Sequence, residues 1–206
     1  MIVHHFTTPI TTPFARKSTQ IYGDLRRLWE KAKIKESAKK PEITGLCRLI
    51  KGYKIMIKVL FVCHGNICRS PMAEFVMKGL VKKAGLASQF YIESAATSRE
   101  EISNPVYPPA RRKLAEHGIS CDGHAARQLT NQDYDKYDLL IGMDSANLRN
   151  MHRICGGDFA GKLHLLMDYT DHPRDVADPW YTDDFETTWQ DVLAGCQGLL
   201  KESMRE

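Results

Sequence analysis

The sequence predicts an α/β fold, a three-layer α/β/α sandwich in which a four-stranded parallel sheet lies between two layers of helices. Two observations lead to this prediction. Short apolar runs alternate with segments in which apolar residues recur at helical spacing. The runs are apolar almost without interruption, as expected of strands that are buried on both faces. We therefore expect parallel strands that are connected by helices covering both sides of the sheet.

The expected elements follow one another from Met56 onward. The first strand, KVLFVC, leads to the helix SPMAEFVMKGLVKKAG, which has Pro71 in its first turn, where a missing N–H costs nothing. The elements that follow are the strand QFYIES, the helix PPARRKLAEHG, the short helix NQDYDKY, the strand DLLIGM, the helix SANLRNMHRI and the strand KLHLLM. A final helix over 185–201 carries one apolar stripe, formed by Phe185, Trp189, Val192, Cys196 and Leu199.

Residues 1–55 are interpreted as an irregular, basic N-terminal extension to this domain, which spans 56–206. The extension contains 12 Lys and Arg against 4 Asp and Glu, a balance of +8, whereas the domain has 17 and 21, a balance of −4. The stretch HHFTTPITTPFARKST has no periodicity, and the Lys-rich passage before Pro41 is typical of a linker. We expect either a poorly ordered arm or a segment upstream of a natural translation start at Met56.

Composition narrows the class of protein. No stretch approaches the roughly 18 to 20 uninterrupted apolar residues of a membrane span, and the N-terminus lacks the apolar core of a secretory signal, so a cytoplasmic location is expected. Six cysteines in 206 residues are too few for a disulfide scaffold, and in a reducing compartment they are free thiols, metal ligands or redox centres. A basic arm can bind nucleic acid, but we expect no such partner.

The stretch VLFVCHGNICRSPMAE, at 59–74, ends a buried strand with a thiol and reaches an arginine before the next helix. Five residues separate Cys63 from Arg69. A loop of this length can aim several backbone N–H groups at one point, and the helix start adds partial positive charge. We expect Gly65 to allow a positive φ and a close backbone approach, and Asn66 to tolerate a left-handed conformation. The loop therefore favours a tetrahedral oxyanion.

The side chains of this loop indicate chemistry at phosphorus. Arg69 presents a planar, permanently charged fork that suits two oxygens of a phosphate. The surrounding donors, with the Ser70 hydroxyl, favour the thiolate of Cys63. A thiolate beneath a bound phosphate is placed for in-line attack, and catalysis then needs a general acid for the leaving oxygen.

Residues 58 to about 201 resemble the low-molecular-weight protein tyrosine phosphatase family. The loop signature VCHGNICRSPMAE is followed by SAATS at 94–98, by HGISCDGHAARQLT and MDSANLR in the expected order, and by the acid motif DPWYTDDFETTW. The resemblance implies a flavodoxin-like fold of the phosphotyrosine phosphatase I type. It implies no counterpart for the extension over 1–55.

The resemblance also implies the reaction. It is hydrolysis of phosphotyrosine in proteins, and of small aryl phosphates, through a cysteinyl-phosphate, without a cofactor or metal. Cys63 is then the nucleophile, Arg69 the clamp on the phosphate and transition state, and Asp178 the general acid that later activates water. From the residues alone, Asp178 could equally be a turn residue, since Asp-Pro is common in turns.

Further roles follow from the resemblance, each with an alternative. Ser70 is expected to stabilise the thiolate, while Asn66, Ser94 and His124 hold the loop open; His124 could instead be a surface or helix-capping residue. Asp144 could brace the loop or Arg69, or cap the helix that starts at Ser145.

The substrate pocket is expected to be formed by seven residues, His64, Gly65, Asn66, Ile67, Cys68, Trp180 and Tyr181. Trp180 and Tyr181 form an aromatic wall in the family, but could instead pack the last helix. Cys68 could form a reversible disulfide with Cys63, or could be a small buried hydrophobe.

The chain departs from the family at the rim of the expected pocket. His64 follows the nucleophile, where an apolar residue is common. Glu100 and Glu101 lie where relatives often carry an aromatic wall. They could disfavour acidic phosphopeptides or could be solvated, and we expect the second. The substrate would be a phosphotyrosine protein, and the chain a monomer or weak dimer.

Three rival functions remain open. Protein arginine phosphatases share the fold but carry threonine at the position of Ile67. Arsenate reductases use a similar loop with two relay cysteines, whereas Cys121 and Cys155 lie 34 residues apart here. A zinc site could use Cys63, His64, Cys68 and Cys121 or His124, but this spacing does not match closed structural sites.

Overall fold

The structure, a computed structural model, describes residues 56–204. The predicted extension over 1–55 and the boundary drawn for it lie outside these residues. The strands are β1 (Ile57–Cys63), β2 (Phe90–Ala96), β3 (Leu139–Gly142) and β4 (Leu163–Leu165). The helices are α1 (Arg69–Lys83), α2 (Pro108–Glu116), α3 (Asn131–Lys136), α4 (Ser145–Cys155), α5 (Pro179–Thr182) and α6 (Phe185–Ser203), with 3₁₀ turns at Ala87–Gln89 and Leu166–Tyr169.

The four strands form one parallel sheet in the order β2-β1-β3-β4, which confirms the predicted fold class. β1 is central, and its residues alternate between two cores: Val59 and Phe61 pack in one, Leu60 and Val62 in the other. The first core includes residues of α1, α2 and α6, and the second includes residues of α4. Burial on both faces explains why the strand sequence is uniformly apolar.

The final helix packs against α1 and against the 3₁₀ turn that follows β4. All five members of its predicted stripe are buried, and α6 contacts α1 and the 3₁₀ turn at Leu166–Tyr169. At Gly198 a Cβ atom would collide with the backbone carbonyl of Tyr169. Glycine therefore allows the helix to approach this turn. The short helix α5, which the sequence did not predict, lies just before α6.

The functional residues are gathered at one edge because parallel strands end together. Cys63 ends β1, and β3 ends at Gly142, two residues before Asp144. The backbone N–H of Val176 donates to the carbonyl of Met143 at 2.8 Å. This bond brings the segment before Asp178 to the edge of the sheet where the loop of Cys63 begins. The site thus lies beyond the carboxyl ends of neighbouring strands, where ligands of open α/β sheets bind.

Candidate active site

Two hydrogen-bond donors surround the buried sulfur of Cys63. The backbone N–H of Asn66 donates to Sγ at 3.3 Å, and Ser70 Oγ lies 3.0 Å from the same atom. Ser70 Oγ accepts from Asn66 Nδ2 at 2.9 Å, and the acceptors within reach of its own hydrogen are the sulfur and the more distant Ala95 carbonyl at 3.4 Å. Hydrogen bonds of this kind are stronger to a charged acceptor than to a neutral one.

The left-handed position in the loop is Asn66, with φ of 60°. Gly65 does not have a positive φ, so the expectation for this glycine is wrong. The lack of a side chain at Gly65 instead leaves room for Glu101, because a Cβ at Gly65 would lie 3.1 Å from Glu101 Cγ. The strain of the turn is therefore carried by Asn66, whose buried side chain is fully engaged.

Asn66 links the nucleophile to a buried carboxylate. Its Nδ2 donates to Ser94 Oγ at 2.8 Å, and Ser94 Oγ donates to Glu74 Oε2 at 2.5 Å. Glu74 in turn pairs with Lys78 Nζ at 2.5 Å. Glu74, the last residue of the stretch VLFVCHGNICRSPMAE, was not predicted as a site residue. It is an acidic residue on the buried side of α1, and its burial is evident only in the structure.

A second support reaches Asn66 from the segment before α3. His124 Nε2 lies 2.8 Å from the Asn66 carbonyl, and since a carbonyl only accepts, Nε2 carries the hydrogen. The backbone N–H of Arg127 donates to Asn66 Oδ1 at 3.1 Å. Ser94 and His124 thus lie where their predicted role requires them. That role remains a prediction, and Arg127 is an additional contact that the sequence did not indicate.

Arg69 is buried between two carboxylates. Its Nη1 donates to Asp144 Oδ2 at 2.6 Å, and its Nη2 lies 2.5 Å from Asp178 Oδ2. Burial lowers the pKa of the guanidinium, but the negative charges of Cys63, Asp178 and Asp144 outweigh it and raise the pKa. Arg69 is thus a permanent cation at the floor of the cleft, able to offer donors to a bound anion.

Asp144 makes both of the contacts that the sequence left open. Its Oδ2 accepts from Arg69, and its Oδ1 accepts from the Asn147 backbone N–H at 2.6 Å, which caps α4. One side chain therefore anchors the arginine to the start of a helix. The two alternatives are not exclusive, because a carboxylate has two oxygens that can accept from different directions.

A cleft of about 210 Å³ opens above Cys63. Arg69 and Asp178 line it, together with His64, Gly65, Ile67 and Cys68. Trp180 and Tyr181 also line it and are 58% and 86% exposed. The Trp180 ring lies 5.5 Å from that of Tyr107, whose backbone N–H donates to the Ile67 carbonyl. Asn66 is buried behind the cleft.

Charged side chains also line the cleft. His64 Nε2 lies 3.0 Å from Glu100 Oε2, and Glu101 Oε2 accepts from Asn104 Nδ2 at 2.6 Å. Glu100 and Glu101 both line the cleft. Each has a partner and lines the cleft, and the Glu100 side chain is 71% exposed, as expected of a solvated residue.

The described cysteines are free thiols. Burial, together with the nearby charges of Cys63 and Asp178, raises the pKa of Cys68 to about 12, so Cys68 is protonated at neutral pH. Cys121 packs in the core on one face of the sheet and Cys155 against the core on the other. The sheet thus separates the two cysteines that an arsenate reductase relay would need.

Two negative findings concern residues 56–204. In this part of the chain no group of three or more His, Cys, Asp and Glu side chains is arranged to hold a metal ion. Over the same residues, no helix is both long and apolar enough to cross a membrane.

Known proteins of similar sequence and structure were compared with this chain. It is 40% identical over 153 residues to the low molecular weight protein-tyrosine-phosphatase YfkJ of Bacillus subtilis, which covers 73% of this chain and 98% of YfkJ. The crystal structure of YfkJ superposes with a TM-score of 0.70, covering 73% of this chain and 96% of that chain.

Two further solved structures are similar. SP-PTP, a low molecular weight protein tyrosine phosphatase from Streptococcus pyogenes, has 42% identity and a TM-score of 0.66, covering 72% of this chain and 94% of that chain. DARP, an arginine phosphatase of Drosophila, has 27% identity and a TM-score of 0.65, covering 72% of this chain and 98% of that chain. The family model described as low molecular weight phosphotyrosine protein phosphatase matches residues 58–206. This chain therefore belongs to the low molecular weight phosphotyrosine protein phosphatase family.

Proposed function

We propose that this chain hydrolyses phosphotyrosine in proteins, and small aryl phosphates, through a cysteinyl-phosphate. One observation carries the proposal: the Cys63 sulfur, the Arg69 guanidinium and the Asp178 carboxylate meet in a single cleft of about 210 Å³. Asp178 Oδ2 lies 2.5 Å from Arg69 Nη2, which puts an acid within reach of any anion bound to the arginine. The family to which the chain belongs supports the same reaction.

The first step transfers the phosphoryl group to the enzyme. The Cys63 thiolate attacks phosphorus, the bond to the phenolic oxygen breaks, and Asp178 gives its proton to that oxygen, which releases tyrosine. Arg69 holds the phosphoryl oxygens, and because it is fixed by Asp144 it needs no rearrangement as charge moves onto them. The bound phosphate displaces Asp178 from its contact with Arg69.

The second step restores the enzyme. Asp178, now a carboxylate, takes a proton from water, whose oxygen attacks phosphorus as the S–P bond breaks. Inorganic phosphate leaves and Cys63 returns to the thiolate, which Ser70 and the Asn66 N–H stabilise. A phenol has a pKa of about 10, so tyrosine is a leaving group that one acid can assist without metal chemistry.

The substrate is a protein that carries phosphotyrosine. The cleft suits an aryl group, since Trp180 and Tyr181 line one side and the apolar side chain of Ile67 lies beside them. We assign no nucleic-acid partner, and infer a monomer or weak dimer. A cytoplasmic location fits the five described cysteines, all of which are free thiols.

Cys63 and Cys68 form a protective redox pair in this proposal. Peroxide oxidises the Cys63 thiolate to the sulfenic acid, and the Cys68 thiol then displaces water to form the disulfide. Because the pKa of Cys68 is raised to about 12, its sulfur is a thiol at neutral pH and is a poor target for peroxide. Peroxide inactivation should therefore be reversed by dithiothreitol, and a Cys68→Ser variant that recovers as well as the parent would contradict this pairing.

The deciding experiment compares four substrates in the presence of EDTA. They are para-nitrophenyl phosphate and peptides that carry phosphotyrosine, phosphoserine or phosphoarginine, each tested with the parent, Cys63→Ser and Asp178→Ala. We expect turnover of the two aryl phosphates, its loss in Cys63→Ser, and a decrease of about 10²- to 10⁴-fold in Asp178→Ala. Preference for phosphoarginine would instead indicate an arginine phosphatase, as DARP is named. No turnover by the parent would refute the proposal.

A further inference from the structure

The residue just before the general acid is held entirely by α6. The backbone N–H of Ala177 donates to Asp191 Oδ2 at 3.0 Å, and the Ala177 carbonyl accepts from Thr188 Oγ1 at 2.9 Å. Thr188 and Asp191 are three residues apart and lie on the same face of the helix. Both polar groups of Ala177 are therefore bound by one turn of α6, and its carbonyl carbon is bonded to the nitrogen of Asp178.

The Asp191 carboxylate is buried where its charge is unfavourable unless it is paired. It is only 3% exposed and lies beside the apolar stripe of α6, where an unpaired carboxylate would be strongly unfavourable. Arg174 compensates the charge of Asp191. Its Nη1 donates to Asp191 Oδ2 at 2.7 Å, and its Nη2 pairs with Asp191 Oδ1. Each carboxylate oxygen therefore has a donor, and all three donors come from the segment 174–177 that leads to Asp178.

The same segment is also fixed at the edge of the sheet. Asp175 Oδ1 accepts from the Ser145 backbone N–H at 3.0 Å and from Ser145 Oγ at 2.9 Å. With the bond from Val176 to Met143, every residue from Arg174 to Ala177 has an anchor. Past Asp178, Pro179 is still buried, whereas Trp180 and Tyr181 are exposed. Asp178 itself contacts Arg69 and the N–H of Trp180.

We propose that Asp191, assisted by Arg174 and Thr188, is the positioning residue for the general acid Asp178. This inference rests on the proposed function. Asp191 does not touch substrate; it fixes the peptide group that precedes Asp178 and so fixes where the acid stands relative to the leaving oxygen. A displacement of about 1 Å in a catalytic group can cost about 10²-fold in rate.

The test is the dependence of kcat/KM on the leaving group. Aryl phosphates with leaving groups from para-nitrophenolate to unsubstituted phenolate are compared for the parent, Asp191→Asn and Thr188→Val. Phenolate is the stronger base, so its departure depends more steeply on the position of the Asp178 proton than the departure of para-nitrophenolate does. We expect a decrease of about 10-fold on phenyl phosphate and less than about 3-fold on para-nitrophenyl phosphate for Asp191→Asn. Thr188→Val, which keeps the side-chain volume, should give a smaller change of the same kind.

Asp133 provides a matched control, because it too is a buried carboxylate that pairs with both terminal nitrogens of an arginine. Asp133 accepts from Arg127 Nη1 and Nη2 at 3.1 and 3.2 Å, away from the acid segment. Asp133→Asn should cost comparable stability but keep the parent's leaving-group dependence. If it acquires the steeper dependence too, the effect is one of general loosening and the inference fails.

A double-mutant cycle isolates the route through Asp178. In the Asp178→Ala background, adding Asp191→Asn should change kcat/KM less than about 2-fold, because the group it positions is gone. A full additive loss there, or equal losses on good and poor leaving groups in the single variants, would overturn the inference. Neither outcome touches the proposed function, which fails only if the parent shows no aryl-phosphate turnover.

Discussion

The loop around Cys63 and the rim of the same cleft are built in opposite ways. In the loop, Asn66, Arg69 and Ser70 are buried and each polar side chain has partners from several parts of the fold. At the rim, Tyr181 is 86% exposed and the His64–Glu100 pair faces solvent. The nucleophile and the phosphate clamp thus rest on buried, paired groups, and recognition rests on groups that water can reach.

The difference has a physical reason. Stabilising the charge of a phosphoryl transition state requires donors that are already oriented, because reorienting them during the reaction costs free energy. Contact with a protein substrate requires side chains that project from the surface. The loop is therefore expected to be sensitive to any change, and the rim to change mainly the choice of substrate.

The largest effect is expected at the floor of the cleft. Arg69→Lys should lower kcat/KM for para-nitrophenyl phosphate by about 10³-fold, because a lysine cannot contact Asp144 and two phosphate oxygens with a planar fork. Arg111→Lys, in the exposed pair with Asp122, is the control and should change little. A loss below about 10-fold for Arg69→Lys would show that the loop tolerates change as the rim does.

Two substitutions of Asp144 separate the effect of its ion pair with Arg69 from the effect of its cap on α4. Asp144→Asn keeps an N-cap acceptor for α4 but weakens the ion pair with Arg69, so we expect about a 10-fold lower kcat/KM with nearly unchanged stability. Asp144→Ala should add a loss of about 1 kcal/mol in the free energy of unfolding. Rates on para-nitrophenyl phosphate and urea unfolding measure the two effects. Equal stability of the Asn and Ala variants would argue against the cap.

At the rim a smaller, substrate-dependent effect is expected. Glu100 and Glu101 should favour phosphotyrosine peptides with basic residues beside the phosphotyrosine. In Glu100→Gln the ratio of kcat/KM for a basic over an acidic peptide should decrease by about 2- to 5-fold, the scale of an exposed ion pair. High salt should reduce the parent's preference. An unchanged ratio would mean that these carboxylates do not contact the substrate.

The smallest effect concerns acid stability behind the loop. Burial opposes ionisation of Glu93, but hydrogen bonds from Tyr137, Tyr91 and Lys136 outweigh it and lower its pKa from 4.5 to about 2. A lowered carboxylate pKa stabilises the fold above the unfolded value, and this contribution is lost as pH decreases from 4.5 toward 2. Glu93→Gln should therefore be less stable than the parent at pH 7, with the difference vanishing near pH 2. Urea unfolding across this range is the measurement, and a constant difference would contradict the assignment.

The residues that the sequence identified are those whose chemistry is local. The strand, loop and helix that contain Cys63, Ser70 and Arg69 are contiguous, so spacing alone places them around one point. Asp178 needed the family resemblance, because an Asp-Pro pair by itself indicates only a turn. Glu74 and Asp191 were not identified. A carboxylate at a buried helical position is recognisable as functional only when its partners, distant in sequence, are known.

The amino-acid sequence by itself determined the layered α/β fold and the anion-binding loop. Both depend on periodicity and spacing within single elements, where each residue's environment follows from its neighbours along the chain. Only the tertiary structure decided that Asn66 and not Gly65 takes the left-handed conformation, that Asp144 serves Arg69 and α4 together, and that Asp191 holds the segment before Asp178. These features depend on which elements meet at the carboxyl edge of the sheet, and packing determines that across the whole domain.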